Sequence, residues 1–380
     1  MALTFEILSY VFVFILLCYV ILIGTYNISW FKIKTWKSKI TEPHTKVTVI
    51  VPARNESENI SACLKNICSQ NYPADLFEII IVNDSSTDNT AELVNDFIKT
   101  NSNYKISFIE HSGNKNSGKK QAITEAIKVA QGDLIITTDA DCVMNTKWIA
   151  SVVEYYETYK PAMIIGPVKF YNEKGFFQKI QSVEFLSLIA SGAASVQIGA
   201  PIMCNGANLA YERKIFTDVS GYSSPKNYAS GDDVFLMHKI KKFTDRKIAF
   251  IKCKDAFVET KAQNTFRDFV NQRKRWVSKS VGYTDFATIA SAFIVLLLNL
   301  FLVISFILTL FFNEFQSIFV IIFVSKFIID FPILLGALSF AGKIKNLYFF
   351  LPLQLIYPLY IIGIGIAGLF GKFEWKNRKY

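Results

Sequence analysis

Apolar residues gather at the two ends of the chain, while the middle alternates short apolar runs with mixed polar stretches. Residues 5–23 are nearly all apolar, broken by Glu6, Ser9 and tyrosines, and are long enough to cross about 30 Å of hydrocarbon as a helix. Three further apolar stretches fall at about 287–312, 317–340 and 347–370. In between, residues 47–51, 78–82 and 134–138 are short runs rich in β-branched side chains, the pattern of buried strands. Residues 57–70 and 87–100 mix apolar and polar positions as helices do. Strand, helix, strand, helix predicts a mainly parallel sheet with helices on its faces. The chain therefore divides into a membrane helix (1–30), an α/β domain (45–265), an interfacial segment (266–285), a second membrane region (286–371) and a basic tail (372–380).

Charge next to the apolar spans sets the expected orientation. The first span lacks the positive leader and small-residue cleavage site of a signal peptide. It is followed by Lys32, Lys34, Lys37, Lys39 and Lys46, with Trp30 and Trp36 as expected interfacial anchors. The positive-inside rule then places the α/β domain in the cytoplasm, as part of a multi-pass protein of the cell membrane. Three crossings after it would put Lys372, Lys376, Arg378 and Lys379 outside, although Lys343 and Lys345 also belong inside. Pro352 and Pro358 remove backbone donors from the last stretch. Two spans plus a broken or re-entrant segment, with a cytoplasmic tail, are expected. Lys326 and Asp330 lie four residues apart inside one span: either a functional intramembrane pair or a self-neutralising one on a single helix face.

The composition narrows the classes. The chain is 51% hydrophobic with a formal net charge of +10, and many of its cations flank apolar spans, as a rim facing anionic headgroups would. No basic–aromatic repeat or zinc module points to nucleic acid. Cysteines 18, 63, 68, 142, 204 and 253 contain no C-x-x-C pair, so neither a disulfide framework nor a zinc site is indicated. Gly113 and Gly118 do not form a P-loop, because Gly-Lys-Ser/Thr is missing. A transporter nucleotide-binding component would need that loop.

Ligands of such sheets bind at the carboxyl ends of the strands. The first strand leads into Pro52-Ala53-Arg54-Asn55-Glu56, the second into Asn83-Asp84 with Asp88, and the third into Asp139-Ala140-Asp141. One acidic turn is an ordinary helix cap; three at one edge make a site. Asp139 and Asp141 suit a hard divalent cation, Mg²⁺ or Mn²⁺, bridging to a diphosphate. Lys119, at the start of a helical stretch, is either a phosphate-binding cation or part of a solvated basic loop. Gly231-Asp232-Asp233 is either a helix N-terminus or a source of general base. Gln272, Arg275 and Trp276 form either a juxtamembrane basic patch with its anchor or a sugar-stacking platform.

Taken in order, these motifs resemble the membrane-integrated branch of the family 2 inverting glycosyltransferases, which includes ceramide glucosyltransferases and hyaluronan, chitin and poly-N-acetylglucosamine synthases. The resemblance covers about residues 45–280 and implies a GT-A fold: a Rossmann-like mixed, mainly parallel sheet with helices on both faces, flanked by transmembrane helices. It implies a hexosyltransferase using a UDP-sugar, with Asp84 and the turn of Pro52, Ala53, Arg54 and Glu56 at the nucleoside. Asp139, Ala140, Asp141 and Lys119 would stand at the metal and diphosphate. Asp233, beside Asp232, would be the base, and Gln272, Arg275 and Trp276 would close the site, Trp276 beneath the acceptor and Arg275 near the diphosphate. Asn205-Gly206-Ala207-Asn208 matches a segment lining the acceptor pocket in relatives. Backside attack would convert an α-linked donor into a β-linkage. A lipid-linked acceptor is expected, a processive polysaccharide synthase is the alternative, and a non-catalytic nucleotide-sugar-binding membrane protein is a remote third.

Overall fold

The computed structural model describes residues 2–39, 42–111, 118–222, 232–370, 374–375 and 378–379. In chain order the elements are α1 (Ala2–Lys32), β1 (Val47–Ala53), α2 (Ile60–Cys68), β2 (Phe77–Asn83), α3 (Thr90–Thr100), β3 (Lys105–Glu110) and α4 (Lys119–Val129). There follow β4 (Leu134–Thr137), β5 (Val143–Met144), α5 (Trp148–Tyr159), β6 (Met163–Ile165), β7 (Val168–Phe170), α6 (Gly175–Gln197) and β8 (Leu209–Glu212). Next are α7 (Arg213–Asp218), α8 (Asp232–Phe243), β9 (Ile248–Phe250), β10 (Val258–Thr260) and α9 (Phe266–Ser278). The chain closes with α10 (Phe286–Thr309), α11 (Glu314–Phe340), α12 (Phe350–Phe370), β11 (Glu374–Trp375) and β12 (Arg378–Lys379). These elements form two compact units: an α/β unit of residues 34–173 and 203–262, and a helical unit of residues 1–33, 174–202 and 263–380.

The α/β unit is built on a seven-stranded sheet of order β3-β2-β1-β4-β8-β6-β9. Its first four strands are parallel, β8 runs antiparallel to both β4 and β6, and β9 is parallel to β6. The sheet is thus mixed, as expected. Val49, Ile50 and Val51 on β1, Ile79 to Val82 on β2 and Leu134 to Ile136 on β4 are all buried, which explains their unbroken apolar sequence. Burying each such side chain contributes about 2 kcal/mol. The edge strand β3 alternates exposed and half-buried residues, too weak a signal to be read from its sequence. A second sheet, β5-β10-β7, is small.

Asn208 ties this unit together. Its Oδ1 accepts from the Trp148 indole at 3.0 Å, and its Nδ2 donates to the carbonyls of Pro167 at 2.8 Å and Ala256 at 2.9 Å. It is buried, and these bonds make it a scaffold within the Asn205–Asn208 turn.

In the helical unit four stretches are long and apolar enough to cross a membrane: Glu6–Lys32, Phe286–Thr309, Glu314–Phe340 and Ile344–Gly368. The first helix extends well past residue 23. Trp30 is not an exposed anchor: it is buried against Phe340, and a Cβ on Gly336 would stand 2.3 Å from its indole nitrogen. Trp36 packs edge-on against Tyr155 and Tyr159 of the α/β unit. No break falls at either proline: after a 3-10 stretch over Ile344–Phe349, α12 runs as one helix containing Pro358. Pro352 falls in its first turn, where a missing N–H costs little, and the bond lost at Pro358 leaves the neighbouring turns intact. α12 runs beside the charged helix α9 in the same direction, with Tyr360 stacked on Phe269 and Gly368 against Val277.

The intramembrane pair is real but not self-contained. Lys326 Nζ lies 2.7 Å from Asp330 and donates to Gln354 at 2.6 Å; Gln354 and Tyr19 both donate to Asp330, at 3.0 and 2.7 Å. Three helices thereby satisfy one buried ammonium. In the tail, β11 and β12 pair as a hairpin, with β11 near α9; Lys372, Lys376 and Asn377 lie outside the described residues.

Replacing Asn208 strands the buried Trp148 indole N–H and removes the amide donors to the Pro167 and Ala256 carbonyls, the first of which keeps its bond from Val258 N–H; each stranded group costs about 1–3 kcal/mol. Asn208→Ala is expected to lower the thermal midpoint of the purified protein by 5 °C or more in detergent, roughly the shift that such a loss produces in a chain of this size.

Candidate active site

The ends of β1 and β2 fold into interlocked loops. Asp84 is buried and its N–H donates to Ala53 at 2.8 Å. Arg54 Nη1 donates to the carbonyls of Asp84 at 2.5 Å and Ser85 at 3.1 Å. Asn55 and Ser85 take positive φ values of 51° and 55°, the left-handed conformation that Asn tolerates and Ser rarely adopts. Asn55 and Glu56 receive further support from the second loop, through Ser86 Oγ and Thr90 Oγ1. Pro52 pairs with Val82 at the last turn of the strand, and Ala53 is buried beside it.

Asp88 knits these loops to each other. Burial opposes its ionisation, but hydrogen bonds from Thr90 and Ser57 outweigh that and hold its carboxyl at about 2. Its two oxygens are occupied by those local donors, which gives it a scaffolding place in the pair of loops.

The end of β4 carries the sharper chemistry. Asp139 and Asp141 are half-buried, Ala140 between them is buried, and ligand atoms of Asp139, Asp141 and Cys142 lie within 4.8 Å of one another. Burial, then the charges of Asp139 and Glu56, push the Asp141 carboxyl up to about 6. Thr260 Oγ1, at the end of β10, donates to Asp141 Oδ2 at 3.3 Å. Burial, with Asp141 and Asp139 beside them, pushes the Cys63 and Cys142 thiols up, so both stay protonated. Two carboxylates crowded enough to raise a pKa fit a divalent cation with open positions for phosphate oxygens, a donor set for Mg²⁺ or Mn²⁺.

Lys119, the first residue of α4, forms an ion pair with Asp139 Oδ1. The same ammonium lies 3.4 Å from where a Cβ on Gly206 would stand, and Asp233 Oδ2 lies 3.6 Å from that point. Gly206 N–H donates to Asp233 Oδ2 at 2.9 Å, and Thr137 Oγ1 donates to Gly206 O at 3.0 Å. Asp139, Lys119, Gly206 and Asp233 are thus one continuous row. Asp232 and Asp233 begin α8, and Gly231 lies outside the described residues, as does Gly113. In the helical unit Gln272, Arg275 and Trp276 share α9, whose first turn is capped by Thr265 accepting from Asp268 N–H.

Residues 48–219 match the family described as glycosyl transferase family 2, and residues 134–364, well over half the chain, match glycosyl transferase family group 2. The chain belongs to the family 2 glycosyltransferases. This family 2 glycosyltransferase is 31% identical over 178 residues to a poly-β-1,6-N-acetyl-D-glucosamine synthase of Staphylococcus epidermidis, and 32% identical over 178 residues to one of Staphylococcus aureus. The match covers 46% of this chain but only 41% of each relative. Its fold is that of a solved mannosyltransferase from Pyrobaculum calidifontis, described in complex with GDP-mannose and Mn²⁺, at a TM-score of 0.62 and 19% identity over 96% of this chain and 97% of that one.

Thr260 and the two buried thiols carry no motif, because a three-residue strand and scattered cysteines leave no periodicity to read.

A carboxylate must be ionised to ligate a cation. Asp141 is the group whose raised pKa makes this matter near neutrality, so Mn²⁺ affinity is expected to hold above pH 7 and to weaken as pH falls through about 6. Calorimetric titration of Mn²⁺ between pH 5 and 8 checks this, and Asp141→Asn should remove the pH step.

Proposed function

We propose that this chain transfers a hexose from a UDP-sugar to a lipid-linked or membrane-embedded acceptor, with inversion, in a reaction that needs Mg²⁺ or Mn²⁺. The observation that carries the reading is the row Asp139, Lys119, Gly206 and Asp233, which sets a diphosphate-type site beside a carboxylate held by a backbone N–H. Asp139 and Asp141 would hold the cation, which when bound neutralises charge on the leaving diphosphate. Lys119 is the cation at hand for the same phosphates, exchanging Asp139 for them. Asp84, Arg54 and Glu56, with the Pro52–Ala53 strand end, take the nucleoside side.

Asp233 is the general base in this reading. Gly206 N–H fixes one of its oxygens at 2.9 Å and Val234 N–H the other at the same distance, so the carboxylate is held ionised and oriented to take a hydroxyl proton. Asp232 adds negative charge at the start of the same helix. By resemblance Gln272, Arg275 and Trp276 close the site, Trp276 beneath the acceptor and Arg275 near the diphosphate.

The membrane-embedded acceptor is supported by the helical unit itself, where the helix bearing those three residues packs directly on the apolar helix α12. The charged helix α9 beside the apolar α12 supports a segment lying along the bilayer surface, and the lysines after the first span support a cytoplasmic α/β unit. The similarity to poly-β-1,6-N-acetyl-D-glucosamine synthases favours a second reading, repeated transfer to a growing polysaccharide.

Nucleotide release from a panel of UDP- and GDP-sugars in lipid-reconstituted protein tests the proposal. Turnover is expected with a UDP-sugar and Mg²⁺ or Mn²⁺, to vanish with chelator, and to fall about 10²–10⁴-fold in Asp233→Asn, the usual contribution of a general base. Mass spectrometry of the product then separates a single glycolipid from a polymer. Metal-independent turnover, or full activity in Asp233→Asn, would overturn the assignment.

A further inference from the structure

Arg273 stands inside the Gln272–Trp276 segment but is not one of its three expected site residues. It is 2% exposed, the only fully enclosed cation on α9 among the described residues. Every edge of its guanidinium is used. Nη2 pairs with Glu184 of α6 at 2.5 Å, and Nε donates to Tyr360 of α12 at 3.1 Å. Tyr360 in turn donates to the second oxygen of Glu184 at 3.1 Å, closing a ring of three side chains from three helices. The remaining arm, Nη1, donates to Gln272 Oε1 at 2.7 Å. The flat face lies over the Trp276 ring at 4.1 Å and over Phe269 at 4.6 Å. The Trp276 ring also tilts against Phe185 of α6 at 6.0 Å.

A buried ion pair is weak support for stability as such, because well-packed apolar residues of the same volume commonly do as well. What an apolar residue cannot do is fix the amide of Gln272 and the plane of Trp276 at once. Only a planar fork with five donors has the geometry to do both, and lysine does not.

We propose that Arg273 is the positioning residue of this segment: anchored by Glu184 and Tyr360, it sets the rotamers of Gln272 and Trp276 for the acceptor. This rests on the glycosyltransferase reading above and adds a residue to it. The role differs from that of a clamp between α6, α9 and α12, since a clamp needs only Glu184 and Tyr360, and its removal would show as lost stability alone.

The test uses the full chain in proteoliposomes, with an added total lipid extract as acceptor source and the nucleotide-sugar that the wild type turns over. Arg273→Met leaves Glu184 buried and unpaired, and is expected to lower the melting temperature. Arg273→Met combined with Glu184→Gln removes that stranded charge. The double variant should melt within a few degrees of wild type, yet show kcat reduced tenfold or more with the donor KM changed less than twofold. Arg273→Lys, which keeps the charge, should also lose kcat at near-native melting temperature, and it serves if the double variant is unstable. Glu184→Gln alone leaves Gln272 and Trp276 held and should retain kcat within threefold. Wild-type kcat in either the double variant or Arg273→Lys overturns the proposal and makes Arg273 a clamp. A wild type that turns over no nucleotide-sugar overturns the glycosyltransferase reading and this inference with it; a fully active double variant removes this inference alone.

Discussion

The parallel core of β3, β2, β1 and β4 is the constraint on which the rest of the α/β unit depends. Its central strands are almost wholly buried, so unpaired charge is disfavoured along them and the acidic residues free to meet a ligand gather where the strands end. Parallel pairing puts those ends at one edge, because each strand after a crossover starts again from the opposite side. Arg54 and Asp84, and the Asp139–Asp141 pair, are gathered by that rule before any ligand is considered. Burial at this turn, and then the charges of Asp139 and Glu56, push the Asp141 carboxyl up to about 6, a cost that a bound cation would relieve.

The same rule made much of the structure readable from sequence. The three strands at 47–51, 78–82 and 134–138 were marked by unbroken β-branched runs, and they lie within β1, β2 and β4 nearly residue for residue. Asp139 and Asp141 were conspicuous because a charge pair after such a run has few structural explanations. Other parts were not legible. β3 is half exposed, β6 to β10 are three or four residues long, and neither length nor period separates them from loop. Trp30 illustrates the limit of composition: a tryptophan among lysines suggests an interface, but a glycine on another helix, Gly336, opens room for it inside. Pro352 and Pro358 suggested a break that the helix absorbs.

In the helical unit, polar groups inside an apolar environment act as fasteners. Lys326, Asp330, Gln354 and Tyr19 satisfy one another across α1, α11 and α12, and Glu184, Arg273 and Tyr360 do so across α6, α9 and α12. Both sets meet on α12, which carries Gln354 and Tyr360. A helix of ordinary apolar composition is thereby fixed in register against the helix that bears Gln272, Arg275 and Trp276. Unpaired, each of these charges would cost several kcal/mol, so the register is specified strongly even where the net contribution to stability is small.

In the proposed reaction the carboxylates after β4 bind a nucleotide diphosphate through a divalent cation. Calorimetric titration of UDP and of a UDP-sugar into the lipid-reconstituted chain, with Mn²⁺ and again with chelator, measures this most directly. Binding is expected to depend on Mn²⁺ and to be lost in the Asp139→Asn/Asp141→Asn double variant. Binding of equal affinity with chelator, or undiminished in the double variant, would contradict it.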